Sequence, residues 1–500
     1  MSSDNRSFEQ IRDTFFVNPR TGDAGVLPHG AYYLAEELLG TETPGKGVFS
    51  SLVPGSNPEL EAYLNSLTAD MRGARRFDHK SMAQLHPTDN IPATLGHWAS
   101  LLRNNNTIIG DVSPVESRYE RESVDWMILH IAGWDVETGS GSLVNGGTSA
   151  NLAALFVARE ALTEQGWDGM SKVSILANEM AHYSIKKAAG ILAPNGIIEV
   201  VNIPFLGNSL VMDTDALAKQ VQEEKEKGRR IMAIVGIAGE TETGLIEDLD
   251  RVADIARSNE IYFHIDAAYG GPFRLSRVGS KFGALSLADS ITCDPHKYMW
   301  VPYAAGAVLF RDASLHNMIA KLNTDGTEYL FKGDDARKEA HAFKAETDTH
   351  LGDKRIEGSM GGHTAAAVHA VITCLGATGL GKLLDHTLDL THQLHQEISA
   401  SGVLRPLYVP ELNSLCLVPV ADSDCYPKAL EPFVEQTVAE VERDQGIYTT
   451  TSSFSLANRE GEREMRKVFR IVPTHPYTDS GDISHVVASL VRTWDKLTSS

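Results

Sequence analysis

Between residues 140 and 271 short apolar stretches alternate with amphipathic ones, and this alternation limits the possible folds more than any other feature of the chain. KVSILA (172–177), GIIEVVNIP (196–204), RRIMAIVGIAG (229–239) and IYFHIDAAYGG (261–271) read as strands. SANLAALFVAREAL (149–162), HYSIKKAAGIL (182–192), DALAKQVQEEKEKG and DLDRVADIARSNE read as helices. Asp215 is the expected N-cap of the third helix, and Gly228 its stop. The run at 229–239 is almost continuously apolar, which suits a strand buried on both faces. Alternation on this scale predicts an α/β protein with a mainly parallel sheet wrapped by helices. Such sheets place ligands at the carboxyl ends of their strands.

At 500 residues the chain exceeds a single simple core. The expected organisation is an N-terminal arm over 1–90, a large domain over 91–370 and a smaller α+β domain over 371–500. The polar, glycine-bearing stretch at about 323–355 reads as a mobile cover for an active site. A net charge of −21 repels phosphate backbones and anionic membranes, so neither nucleic acid nor membrane is expected as a partner. No run approaches the length of a membrane span. The polar start MSSDNRSFEQ lacks an apolar signal core. Four cysteines without a CxxC pair suit a reducing, cytoplasmic setting, and no metal site is expected.

Four constellations carry chemistry, and three of them, the glycine turn, Asp266 and the lysine segment, fall at expected strand ends. In NGGTSANLAAL (145–155), Gly146 and Gly147 allow a tight turn, while Thr148 and Ser149 offer hydroxyls and amides at a helix start. Alone, this turn is an ordinary capped helix. Asp266 ends the strand HIDAAYGG, where a carboxylate is a buried acceptor or the partner of a cationic ring nitrogen. His182 opens a helix, where it caps the helix or stacks on a flat ligand. Lys297, in SITCDPHKYMWVPY, sits among large apolar residues, where it snorkels to water or is buried for chemistry. Together, an anion cradle, an aspartate, a ring neighbour and a buried lysine describe a site for pyridoxal 5'-phosphate, with Lys297 as its Schiff-base lysine. Desolvation among Tyr298, Met299 and Trp300 is expected to favour the neutral, nucleophilic amine.

SITCDPHKYMWVPYAAGAVLFRD, HIDAAYGG, AHYSIKKAAG and NGGTSANLAAL, with NNNTIIGDVSPVESRYE ahead of them, resemble the group II pyridoxal-dependent amino-acid decarboxylases, from about Phe77 to Leu497. The resemblance implies the aspartate-aminotransferase fold (fold type I). It also implies a seven-stranded sheet and a homodimer with shared active sites. Carried over position by position, Lys297 is the cofactor lysine, Asp266 the ring-nitrogen partner, and Ala268 and His182 the residues below and above the ring. Gly147, Thr148, Ser149 and His296 fall at phosphate positions, and Thr241 lies near the ring hydroxyl. Asp294 stands where many members have asparagine, and Glu240 where threonine is common. Tyr329, in TEYLFKG, matches a mobile-loop tyrosine that reprotonates the product, and a tyrosine there implies an amine rather than an aldehyde. Arg470, in FRIVPTHP, matches an arginine near a substrate carboxylate. His86 is expected at the substrate side chain. EGSMGGHTAA (357–366), with the motifs above, resembles bacterial tyrosine decarboxylases, which implies an aromatic substrate. An acidic substrate, bound through His86, His363 or Arg355, stays open, as do aldehyde formation and carbon–carbon cleavage.

Overall fold

The computed structural model describes residues 6–21, 27, 29–31, 34, 58–75, 77–207, 209–320, 351–421 and 425–499. Its centre is a seven-stranded sheet formed by β1 (Ser140–Val144), β2 (Val173–Asn178), β3 (Ile198–Ile203), β4 (Arg230–Ile237), β5 (Tyr262–Asp266), β6 (Ser290–Cys293) and β7 (Gly306–Phe310). The strand order is β1-β7-β6-β5-β4-β2-β3. β3, β2, β4, β5 and β6 pair in parallel, while β7 runs antiparallel to both β6 and β1. This is fold type I, an α/β architecture with helices against a mainly parallel sheet. β2 and β6 are buried along their whole length, and β4 and β5 along all but their first residue, as their apolar runs require.

Local chemistry sets the helix ends. Helix Thr214–Glu226 is capped by Asp213, whose carboxylate accepts from the N–H groups of Asp215 and Ala216. The expected cap, Asp215, lies instead inside the first turn. Both are aspartates, and the one with extended backbone takes the cap. Gly228 follows this helix at φ +69°, a left-handed conformation that glycine adopts without strain. Helix Ser184–Leu192 begins two residues after His182, which therefore stands in the loop rather than in the first turn.

A second sheet, of order β10-β11-β9-β8, contains β8 (Leu404–Pro406), β9 (Leu415–Pro419), β10 (Thr450–Ala457) and β11 (Arg463–Ile471). It is antiparallel throughout. Helices Glu431–Gln445 and Ser480–Thr498 close a separate core around Leu417, Val434, Phe469 and Trp494. The helix Gly376–Ser401 serves both cores, with Leu380 and Leu384 in the first and Leu394 and Ile398 in the second. Near the start of the chain, helix Phe8–Phe15 stacks Phe8 on His386 of that helix at 4.1 Å. Among the described residues no single helix is long and apolar enough to cross a membrane.

Candidate active site

The carboxyl ends of β1, β2, β4, β5 and β6 open into one cavity of about 310 Å³. Gly147, Thr148, Ser149, His182, Thr241, Asp266, Ala268, His296 and Lys297 all line it. The turn after β6 aims the lysine. Tyr298, Met299 and Trp300 are buried in the main core, and Asn90 pins them from outside the turn. Its Nδ2 donates to the carbonyls of Met299 (3.2 Å) and Trp300 (2.8 Å), and its N–H donates to Trp300 (2.9 Å). With its neighbours anchored inward, Lys297 extends into the cavity at 17% exposure. This corrects the expected surroundings of the amine. The three large side chains hold the backbone, and Nζ faces the carboxylate of Asp294, 3.2 Å from Oδ2.

At the other side of the cavity, helix Gly147–Glu164 starts without any side-chain cap. Its first-turn amides are thus left for an anion, aided by the positive end of an 18-residue helix. The turn is too close to its neighbours to carry side chains. A Cβ on Gly147 would meet Asp294 Oδ2 at 2.8 Å, and one on Gly306 would sit 2.4 Å from the Cα of Gly146. His296 turns its Nδ1 toward the N–H of Ala305 at 3.2 Å and accepts from it. The imidazole is held below its ordinary pKa by burial. A neutral ring that accepts at Nδ1 carries its proton on Nε2, on the Asp294 side.

Asp266 is the hub of a buried network. Its Oδ1 accepts from the N–H of Ala268 (3.1 Å), and its Oδ2 from Nδ2 of Asn151 (2.8 Å). Asn151 uses its second N–H on Ser184 Oγ (2.8 Å). Its Oδ1 accepts from Thr292 Oγ1 (2.6 Å) and His264 Nε2 (2.9 Å). His264 is pushed down to about 4 by burial, so it is neutral, and the directions are consistent. Ser184 Oγ stands 2.8 Å from Nδ1 of His182 and, accepting from Asn151, directs its own proton to that nitrogen. Burial also lowers the pKa of His182. One amide therefore orients both Asp266 and His182. Asn151 lies within the glycine-turn motif, and its polar side chain on an otherwise apolar helix face was the sequence signal for it.

β4 delivers Glu240 and Thr241. Glu240 Oε2 accepts from the N–H groups of Glu242 (3.0 Å) and Thr243 (2.8 Å) and from Thr243 Oγ1 (2.9 Å). Burial pushes this carboxyl up to about 7. Arg470 is not at the cavity wall. It donates to the carbonyls of Thr241 (2.6 Å), Glu242 (2.9 Å) and Ala83 (3.2 Å), and so clamps the β4 turn from behind. The expected substrate contact gives way to a backbone clamp because a buried guanidinium must satisfy its donors. His86 lines an adjoining cavity with Phe77, Asp78, Asp89, Tyr303 and His475. His296 and Tyr303, stacked at 4.1 Å, form the wall that the two cavities share. Arg355 is buried, donating to Thr107 and paired with Glu120, and His363 packs on His97. Neither lines the two cavities. Tyr329 lies outside the described residues.

An uncapped helix start, a carboxylate fixed for a ring nitrogen, and a lysine between them fit pyridoxal phosphate. Residues 59–412 match the model of the pyridoxal-dependent decarboxylase conserved domain. The aspartate 1-decarboxylase of Aliivibrio fischeri is 27% identical over 422 residues, 76% of this chain and 72% of that protein. The L-2,4-diaminobutyrate decarboxylase of Rhizobium meliloti is 29% identical over 395 residues, 78% of this chain and 73% of that one. The Oryza sativa TDC structure with PLP and tryptamine superposes with a TM-score of 0.76 at 16% identity, covering 94% and 95% of the two chains. With lysine, aspartate and phosphate cradle gathered in the matched segment, the chain belongs to the family of pyridoxal-phosphate-dependent amino-acid decarboxylases.

Proposed function

We propose that this enzyme decarboxylates an aromatic L-amino acid carrying a polar ring substituent, tyrosine or a close relative, to the amine. The observation that carries this reading is the adjoining cavity. Its walls are flat rings: His86 lies 4.4 Å from Phe77 and 5.1 Å from Tyr303. Asp78, Thr88 and Asp89 supply acceptors for a phenol. Although part of Asp89 faces solvent, the surrounding walls push its carboxyl up to about 6. Among the described residues no lysine or arginine lines this cavity, which disfavours an acidic side chain. The two carboxylates support a second reading, a cationic diamino acid.

The cofactor, when bound, supplies an electron sink for the departing carboxylate's bonding pair. Asp266, itself oriented by Asn151, would hold a proton at the ring nitrogen. His182, its pKa lowered by burial and its ring fixed by Ser184, lines the same cavity and would pass a proton there. Tyr329 is the proposed donor of that proton from the neighbouring subunit. The proposed homodimer is supported by exposed Leu101, Leu102, Val112 and Val115 on segments tied together through Glu116. Mass spectrometry of products from L-tyrosine, DOPA, L-aspartate and L-2,4-diaminobutyrate tests the substrate. Tyramine or dopamine as the main amine is expected. β-Alanine would exclude the aromatic reading, and diaminopropane would select the second. Light scattering at twice 54.4 kDa tests the dimer.

A further inference from the structure

Asp294 is the residue of the cofactor cavity that its chemistry explains least. It is 3% exposed, and Oδ2 meets Lys297 Nζ at 3.2 Å and His296 Nε2 at 3.6 Å. Its other oxygen, Oδ1, is buried and accepts no hydrogen bond among the described residues. It is Oδ2 that abuts Gly147, at the uncapped helix start fitted for the phosphate. Two anions thus converge on one anion site. The charged and titratable groups facing Asp294 are Lys297 and His296 from its own turn, with Cys293, His182 and Tyr303 around it. His296 and His182 are both lowered by burial, and the Cys293 and Tyr303 acids are raised, Tyr303 to about 12. Lys297 Nζ is the one amine in this group, and it is the atom that would join the cofactor.

We propose that the enzyme binds its cofactor with one extra proton, held between the Asp294 carboxyl and a phosphate oxygen. The carboxyl and the phosphate then share a single hydrogen bond in place of a repulsion between buried like charges, which is strong at low dielectric. Cofactor affinity consequently falls as pH rises above the second ionisation of a phosphate monoester, near ~6. A family member with asparagine at this position would have no such dependence, because an amide N–H donates to the dianion. The inference rests on the cofactor and not on the substrate, so its failure leaves the proposed reaction untouched.

The experiment is titration of the apoprotein with pyridoxal phosphate and with pyridoxal, for wild type and Asp294→Asn, at pH 6.5, 7, 7.5 and 8, followed by absorbance. Calorimetry in two buffers of different ionisation heat counts protons at pH 8. The ratio of wild-type to variant Kd for pyridoxal phosphate is expected to rise about tenfold per pH unit above the phosphate's ionisation near ~6. For pyridoxal it is expected to stay constant, and wild type should take up one proton more than the variant. A pH-independent ratio, or the same trend with pyridoxal, would overturn the proposal by assigning the effect to Lys297. Asp294→Ser, which also removes the carboxylate, gives the same reading if the amide variant does not fold.

Discussion

Asn151 decides the geometry of two groups that never touch each other. Its amide gives one hydrogen to Asp266 and one to Ser184, while its oxygen takes bonds from His264 and Thr292. Asn151→Ala would leave each of these buried partners short of a bond, at about 1–3 kcal/mol per orphaned group. The expected result is a loss of at least about tenfold in cofactor affinity, with a lower Tm. Spectroscopic titration and thermal melts check this, and an unchanged Kd would show that Asp266 is oriented by something else. Glu240 and Glu247 have a different consequence at the same scale. Burial raises them from the usual 4.5 to about 7 and about 8. Between about 4.5 and 8 the unfolded chain therefore holds fewer protons than the folded one. Stability contributed by these groups is fullest at low pH and declines as pH rises through that window. Glu240→Gln can keep its three donors on one oxygen and loses the titration. Denaturation at pH 5.5 and 8.5 should show its stability falling less than wild type's, by on the order of 1–3 kcal/mol.

At the scale of elements, the strand ends and the turns between them make the site, and glycine makes the turns possible. Gly306 opens β7 directly against Gly146, whose own φ of +138° excludes other residues. Gly306→Ala would push the anion-binding turn off the strand. A displacement of about 1 Å is enough to cost ~100-fold in a positioned site. Cofactor titration of a soluble, folded G306A protein should show that loss, and near-normal binding would mean the turn yields freely. These elements also show what was legible beforehand. Periodicity located the strands β2 to β5, because apolar runs in a parallel sheet are unbroken. The lysine, aspartate and glycine turn were readable because their residue types are unusual at strand ends. Asn90 and Asn151 were legible only in part: one is the N-cap of helix Ile91–Arg103 and the other a polar residue on an apolar face, and each gains its meaning from partners distant in the chain. The choice between Asp213 and Asp215 turned on backbone dihedrals that composition does not encode.

For the whole molecule, the two sheets meet behind the cofactor cavity, and Arg470 joins them. It sits on β11 of the small sheet, and its guanidinium bonds the carbonyls of Thr241 and Glu242 after β4 and of Ala83 in the N-terminal segment. Asn413 makes a parallel link, accepting from Tyr269 Oη and donating to Tyr298 Oη and the Pro473 carbonyl. The fold of the small domain therefore reaches the site through the main chain that carries Thr241. Arg470→Lys keeps the charge but cannot span three carbonyls with a planar fork. Each lost charge-assisted bond to a buried carbonyl is worth about 1.5–3 kcal/mol. If the residue is a clamp, R470K should lower Tm and weaken cofactor binding about tenfold or more, with KM for the amino acid little changed once cofactor saturates. If it instead held the substrate carboxylate, KM would rise while cofactor affinity and Tm stayed near wild type. Steady-state kinetics at saturating cofactor, paired with cofactor titration, separate the two outcomes, and the geometry favours the first because the guanidinium is turned toward the main chain, away from the cavity.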